Sequence, residues 1–135
     1  MPERKAVDEH AQRGPIGRLW MIQVSAGDPE RIAAFWGVVL GVPVEERLGN
    51  PLQYVNIAPT EPGAPRISFQ RVPETKVVKN RLHFDLVVDD LDEACERIEA
   101  LGGHRRDDHD VHEYGYSWRR MADPDGNEFC VVLDR

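Results

Sequence analysis

Two short strings in the second half of the chain carry the side chains best suited to acid–base or metal chemistry. They are His83-Phe84-Asp85 and Glu128-Phe129-Cys130. In each string the functional residues are two apart, so on a β-strand they share one face. A carboxylate beside an imidazole raises the imidazole pKa and makes it a usable general acid or base. Imidazole, carboxylate and thiolate are also donors for a divalent metal, with the thiolate favouring zinc. Strand geometry opposes both uses, because residues two apart sit about 7 Å from each other along the strand. The spacing therefore predicts separate partners: a neighbouring strand for His83 and a surface ion pair for Asp85. His83 reads as a ligand contact before a catalyst, and His83 and Glu128 are the candidates if a proton must be shuttled. Cys130 has no basic sequence neighbours to lower its pKa, and it reads as an inert thiol.

A second set of polar residues lies between the two strings. The run Asp107-Asp108-His109-Asp110-Val111-His112-Glu113 is rich in potential ligands but lacks the spacing of a zinc finger or a calcium loop. It reads as a solvated loop that, with Tyr114, Gly115 and Tyr116, could act as a flap. Trp118 and Arg120 follow on one strand face and offer a stacking surface and a cation. The chain has no phosphate-cradling or dinucleotide-type glycine loop and no Gly-x-Ser-x-Gly elbow.

Elements that could position these residues are legible from periodicity. Residues 1–17 mix charges without an apolar period and read as a disordered or loosely packed arm. Leu19 to Val24 is a strand, with Met21 and Gln23 on one face and Trp20, Ile22 and Val24 on the other. Asp28-Pro29 starts a helix, and Ile32, Phe35, Trp36, Val39 and Leu40 form its apolar stripe up to Gly41. Strands near 43–48, 52–57 and 66–71 follow, the last with Ser68 and Gln70 on one face. The order then repeats. A strand at Leu82 to Val88 puts Leu82, Phe84, Leu86 and Val88 toward a helix and His83, Asp85 and Val87 away from it. Asp90 and Glu93 form a capping box. Leu91, Ala94, Cys95, Ile98 and Leu101 make the second stripe, which places Cys95 in the core, and Gly102-Gly103 ends it. A short strand near 104–106, Tyr116 to Ala122 and Asn127 to Leu133 complete the set. Arg18-Leu19 and Arg81-Leu82 open equivalent strands, and Leu40-Gly41 and Leu101-Gly102 close equivalent helices. Duplication of one βαβββ unit is the simplest account.

Three segments resemble a known family in this order: Phe35–Val44 (FWGVVLGVPV), Arg81–Gly103 (RLHFDLVVDDLDEACERIEALGG) and Ala122–Val132 (ADPDGNEFCVV). Together the chain resembles the glyoxalase/bleomycin-resistance/dioxygenase, or vicinal oxygen chelate, superfamily in its glyoxalase-like branch. The resemblance implies an α+β fold. Two tandem βαβββ modules, residues 18–72 and 81–135 of a single domain 18–135, have curved mixed sheets around a shared cleft with helices outside. It also implies a metal set drawn from the first and last strand of each module, and the matching positions are Met21, Ser68, His83 and Cys130. Only His83 is a ligand-type residue as the family uses them. A thioether is a poor donor for such metals, and the usual carboxylate is missing at Cys130, although Glu128 lies two residues earlier. No cofactor is expected on this ground, and a divalent metal remains the less favoured alternative.

The totals fit this reading. A length of 135 residues suits one domain, and a net charge of −7 provides no footprint for nucleic acid or anionic membrane. No apolar run has the length of a membrane span, and two cysteines make no disulfide framework. A cytoplasmic homodimer is expected. The expected function is binding or sequestration of a small, for example aromatic, molecule in a cleft formed by Met21, Gln23, Ser68, Gln70, His83, Asp85, Trp118, Arg120, Glu128 and Cys130. The alternatives are a lyase, isomerase or dioxygenase acting on a small oxygenated metabolite, and a non-catalytic dimerisation module. Glyoxalase I chemistry itself is disfavoured by the missing ligands.

Overall fold

The computed structural model describes residues 2–133, so Met1 of the arm and Asp134 and Arg135 of the second module lie outside the described residues. The arm is more regular than its pattern suggests. It carries helix α1 (Pro2–Ala11), no residue of which is buried. Glu, Arg, Lys and Ala supply helix propensity there without an apolar stripe, so the segment is helical by local preference and buries none of its residues.

In the first module the chain forms β1 (Met21–Ala26), α2 (Pro29–Leu40), β2 (Val44–Leu48), β3 (Tyr54–Ile57) and β4 (Arg66–Arg71). The Asp28 carboxylate accepts from the Arg31 amide at 3.3 Å and Pro29 opens the helix. Gly41 ends it with φ 70°, a left-handed conformation that favours glycine. The sheet order is β1-β4-β3-β2, with β1 parallel to β4 and the other neighbours antiparallel.

The second module repeats this plan with β5 (Asp85–Val88), α3 (Leu91–Ala100), β6 (His104–Arg105), β7 (Val111–Glu113), β8 (Tyr116–Ala122) and β9 (Glu128–Leu133). Its order is β5-β9-β8-β6, with β5 parallel to β9. The β6 and β7 strands both pair with β8, at opposite ends, and together occupy the outer position that β2 holds in module one. Asp90 accepts from the Glu93 amide at 3.0 Å, as the capping pattern predicts. The 107–113 run is a loop over 107–110, with Asp108 and His109 exposed as expected, but its end is β7, and two of its acids are tied down: Asp107 to Arg120 and Asp110 to Arg119.

The modules meet through α2. Trp36 lies edge-on to Phe129 at 4.8 Å and to Phe84 at 5.4 Å, and Phe35 reaches Phe129 at 6.3 Å. Helix α2 therefore packs on its own sheet and also seals the second one. Three apolar-face assignments fail: Leu101, at the end of the second stripe, is 39% exposed, and two residues lie ahead of their strands. Leu82 is 86% exposed and Trp20 is 60% exposed. The strands β5 and β1 begin only at Asp85 and Met21, so both residues precede the paired, helix-covered part of their strands.

Candidate functional site

A cavity of about 520 Å³ opens at the seam of the modules, where it falls within the usual range for small-molecule sites. The free edge of β1 forms one wall through Gln23 and Val24, and Trp36 and Phe84 line its apolar part. His83, Asn127 and Glu128 supply polar atoms from the other wall, and the connection 72–82 closes over it. That connection is held by specific bonds. The Asn80 side chain donates to the Glu128 carbonyl at 2.8 Å and accepts from the Glu128 amide at 3.4 Å. Lys79 Nζ lies 2.9 Å from Glu128 Oε2. Nothing in the sequence marks this connection, because it carries neither an apolar period nor a motif.

The base of the seam is organised by Asp123, which has no exposed surface. Its carboxylate accepts from Trp36 Nε1 at 3.1 Å, from the Asn127 amide at 2.9 Å, from Asn127 Nδ2 at 3.1 Å and from the Asp125 amide at 3.0 Å. Asp125 in turn accepts from the Gly27 amide at 3.0 Å. The turn Asp123–Gly126 is legible in sequence as an Asx-type turn. Its bonds to α2 and to the end of β1 are not, since they join residues that only the fold brings together.

Strand register divides the open face of the second sheet into two rows. Val111, Trp118, Val132 and Val87 are successive register partners and form an apolar row. Arg120, Cys130 and Asp85 form the adjacent polar row. Asp107 holds the Arg120 guanidinium with contacts of 2.9–3.2 Å and is itself kept below the usual carboxylate range, first by those bonds. Glu128 is likewise held below the ordinary glutamate range, chiefly by the Lys79 hydrogen bond, against the opposing effect of burial. Cys130 is pushed up to about 11, first by desolvation and then by the Asp85 charge.

His83 Nε2 lies 3.2 Å from Asp85 Oδ1. The expectation of separate partners for these two residues is therefore corrected. It assumed a continuous strand through both, but β5 starts at Asp85. His83 sits in the irregular lead-in, where its ring can lean along the chain. Donor atoms of His83, Asp85 and Cys130 all lie within 4.8 Å of one another.

The ten cleft candidates separate into distinct groups. Gln23, His83 and Glu128 line the seam cavity. Asp85, Arg120, Cys130 and Trp118 stand on the open face of the second sheet, next to that cavity and outside its lining. Met21, Gln70 and Ser68 belong to the first sheet. Ser68 has no exposed surface, and its hydroxyl has no hydrogen-bond partner. Met21 Sδ accepts from Gln23 Nε2 at 3.3 Å. The four positions implied for the family metal therefore do not fit one: a thioether and a buried hydroxyl stand where module one would supply its donors.

Comparison with known proteins agrees with this architecture. Residues 21–132 match the glyoxalase-like domain family. The chain belongs to this family. No curated protein matches the chain. Among solved structures, it is similar to a glyoxalase-related enzyme from Fulvimarina pelagi, with TM-score 0.68, 19% identity, and 88% of this chain and 89% of the other covered. A glyoxalase/bleomycin resistance protein/dioxygenase family enzyme from Burkholderia phytofirmans PsJN gives TM-score 0.65 and 19% identity, covering 87% and 98%. A lactoylglutathione lyase from Agrobacterium tumefaciens gives 0.58 and 22%, covering 88% and 95%. At these identities the likeness is one of fold. No described helix is long and apolar enough to cross a membrane.

Proposed function

We propose that the protein binds a small, flat, partly apolar molecule in the seam cavity. The observation that carries this reading is the cavity itself, of about 520 Å³, with an aromatic and aliphatic wall and a few convergent polar groups. Trp36, Phe84 and Val24 offer the apolar surface, and Gln23, His83 and Asn127 offer hydrogen bonds. Glu128 is already neutralised by Lys79, so the cavity presents a paired charge and an uncharged ligand or a weak anion suits it.

The test is a thermal-shift screen over aromatic acids, phenols and related metabolites, repeated on Val24→Trp, which fills the cavity from its wall. A ligand at 100 times its Kd stabilises the folded state by about 2.7 kcal/mol. A shift seen in the wild type and absent in a folded Val24→Trp supports the reading. If no compound shifts the wild type, or if Val24→Trp responds as the wild type does, the cavity is not the binding site.

A second reading, an isomerase- or lyase-type enzyme on a small oxygenated substrate, is favoured by one observation, the 3.2 Å His83–Asp85 contact at the cavity mouth. A carboxylate at that distance can hold an imidazole in place as a proton carrier for a ligand in the cavity that His83 lines. Turnover of a compound found in the screen, lost in His83→Ala with binding retained, would select this reading over simple sequestration.

A further inference from the structure

We propose that the connection between the modules is a hinged lid on the seam cavity. Residues 73–78 close over bound ligand and bring Val78 against it, toward Leu82 at the rim. This inference rests on the ligand reading above, since it concerns the mouth of the same cavity, and it adds Val78 to the residues that contact and select the ligand.

The way the connection is tied supports a hinge. Residues 72–84 form no helix or strand. At one end the Val72 amide donates to the Ala26 carbonyl at 3.0 Å, which fixes it to the end of β1. At the other, Lys79 and Asn80 fix it through Glu128 to the start of β9. Among the described residues, no hydrogen bond or ion pair joins residues 73–78 to a sheet or a helix. The bond from the Lys76 ammonium to the Val78 carbonyl lies within the segment. A segment with so few bonds to the body opens and closes at low cost. The 107–110 loop shows the contrast, because Asp107 bonded to Arg120 and Asp110 bonded to Arg119 pin both its ends.

Side-chain chemistry gives the free segment a direction in which to move. Val78 is 73% exposed and Leu82 is 86% exposed, yet both line the cavity. Val77 beside them is 87% exposed. The connection therefore presents hydrocarbon to water at the mouth of a cavity whose interior holds Trp36 and Phe84. A flat, partly apolar ligand gives these side chains a surface to bury against, and that burial favours the closed position. Contacts made only in the closed position are what shift such an equilibrium. Closure also takes water away from the hydrogen bonds that Gln23, His83 and Asn127 offer the ligand, which strengthens them. Glu74 and Lys76 carry opposite charges on the moving segment, so closure brings no net charge to the mouth.

The experiment uses the full chain and N-phenyl-1-naphthylamine, an uncharged flat aromatic that fluoresces when it leaves water. Amide hydrogen exchange is followed by mass spectrometry with and without the probe, and probe binding and release are followed by stopped-flow fluorescence. In the empty protein, amides 74–78 exchange near the rate of an unstructured peptide. With the probe bound they slow at least about tenfold. Val78→Ser changes an exposed side chain and folds as the wild type does, which circular dichroism verifies. It speeds probe release at least about tenfold and leaves the association rate within about twofold, because the lid closes after the ligand has entered. Suppose the probe binds the wild type and is lost in a folded Val24→Trp. Unchanged exchange at 74–78, or wild-type release from Val78→Ser, then overturns the lid and leaves the cavity reading standing. A probe that does not bind the wild type, or that binds Val24→Trp equally well, overturns both.

Discussion

The bond between Trp36 Nε1 and Asp123 ties the first module's helix to the second module's hairpin, and its strength can be measured by a double-mutant cycle. Asp123→Ala removes an acceptor of four bonds from a site with no exposed surface. The turn donors on Asp125 and Asn127 lie in half-buried positions that water can reach. Trp36 is 2% exposed, and its indole N–H is left without an acceptor. A hydrogen bond to a charged group contributes about 1.5–3 kcal/mol, and a stranded buried donor costs about 1–3 kcal/mol. Asp123→Ala is therefore expected to destabilise by roughly 4 kcal/mol, or roughly 15 °C in Tm for a domain of this size. Trp36→Phe keeps an aromatic ring against Phe129 and Phe84 while deleting the donor. The cycle Asp123→Ala, Trp36→Phe and the double variant, followed by urea unfolding with circular dichroism, should give a coupling of about 2 kcal/mol. A coupling below about 0.5 kcal/mol would refute the argument, because the bond would then hold the modules together no more firmly than solvent does.

Other outcomes are expected at single sites. Gly37→Ala should destabilise by about 1 kcal/mol in thermal unfolding, although alanine ordinarily favours a helix interior, because its Cβ would stand 2.9 Å from the Val42 carbonyl oxygen; a rise in Tm would contradict the close approach. Gly103→Ala should cost more, about 3 kcal/mol, since its Cβ meets Ile98 Cγ2 at 2.5 Å and the Ala122 carbonyl at 3.0 Å. Glu128 should titrate below an ordinary glutamate in carboxyl NMR, and Lys79→Met should move it back up. The sign for stability follows: the contribution of ionised Glu128 is complete above the unfolded-state pKa and is lost as pH falls through the lower folded value. Cys130, pushed up to about 11, should react with a thiol reagent at pH 8 roughly 100-fold more slowly than free cysteine in chelator-treated protein, and Asp85→Asn should speed it. Rapid alkylation of the wild type would show that the thiol is not desolvated.

Local pieces of the fold follow from nearby residues alone. Helix caps at Asp28, Gly41 and Asp90 fall where the pattern puts them, because a cap is satisfied by atoms three or four residues away. The two stripes and the repeated order also follow from local spacing, so the duplicated βαβββ plan and the family were readable from text. Strand starts were less so. Leu82 and Trp20 carry strand-like side chains, yet pairing begins later, and only pairing partners fix where a strand begins. The arm became a helix through propensity that a search for apolar periods does not register. His83 and Cys130 are visible as candidates in the sequence. The assignment of their neighbours was not, because the Lys79–Glu128, Arg120–Asp107 and His83–Asp85 pairs depend on where the fold places each strand. Composition and spacing name the polar residues; the parallel register of β5 on β9 decides that Asp85 and Cys130 stand side by side.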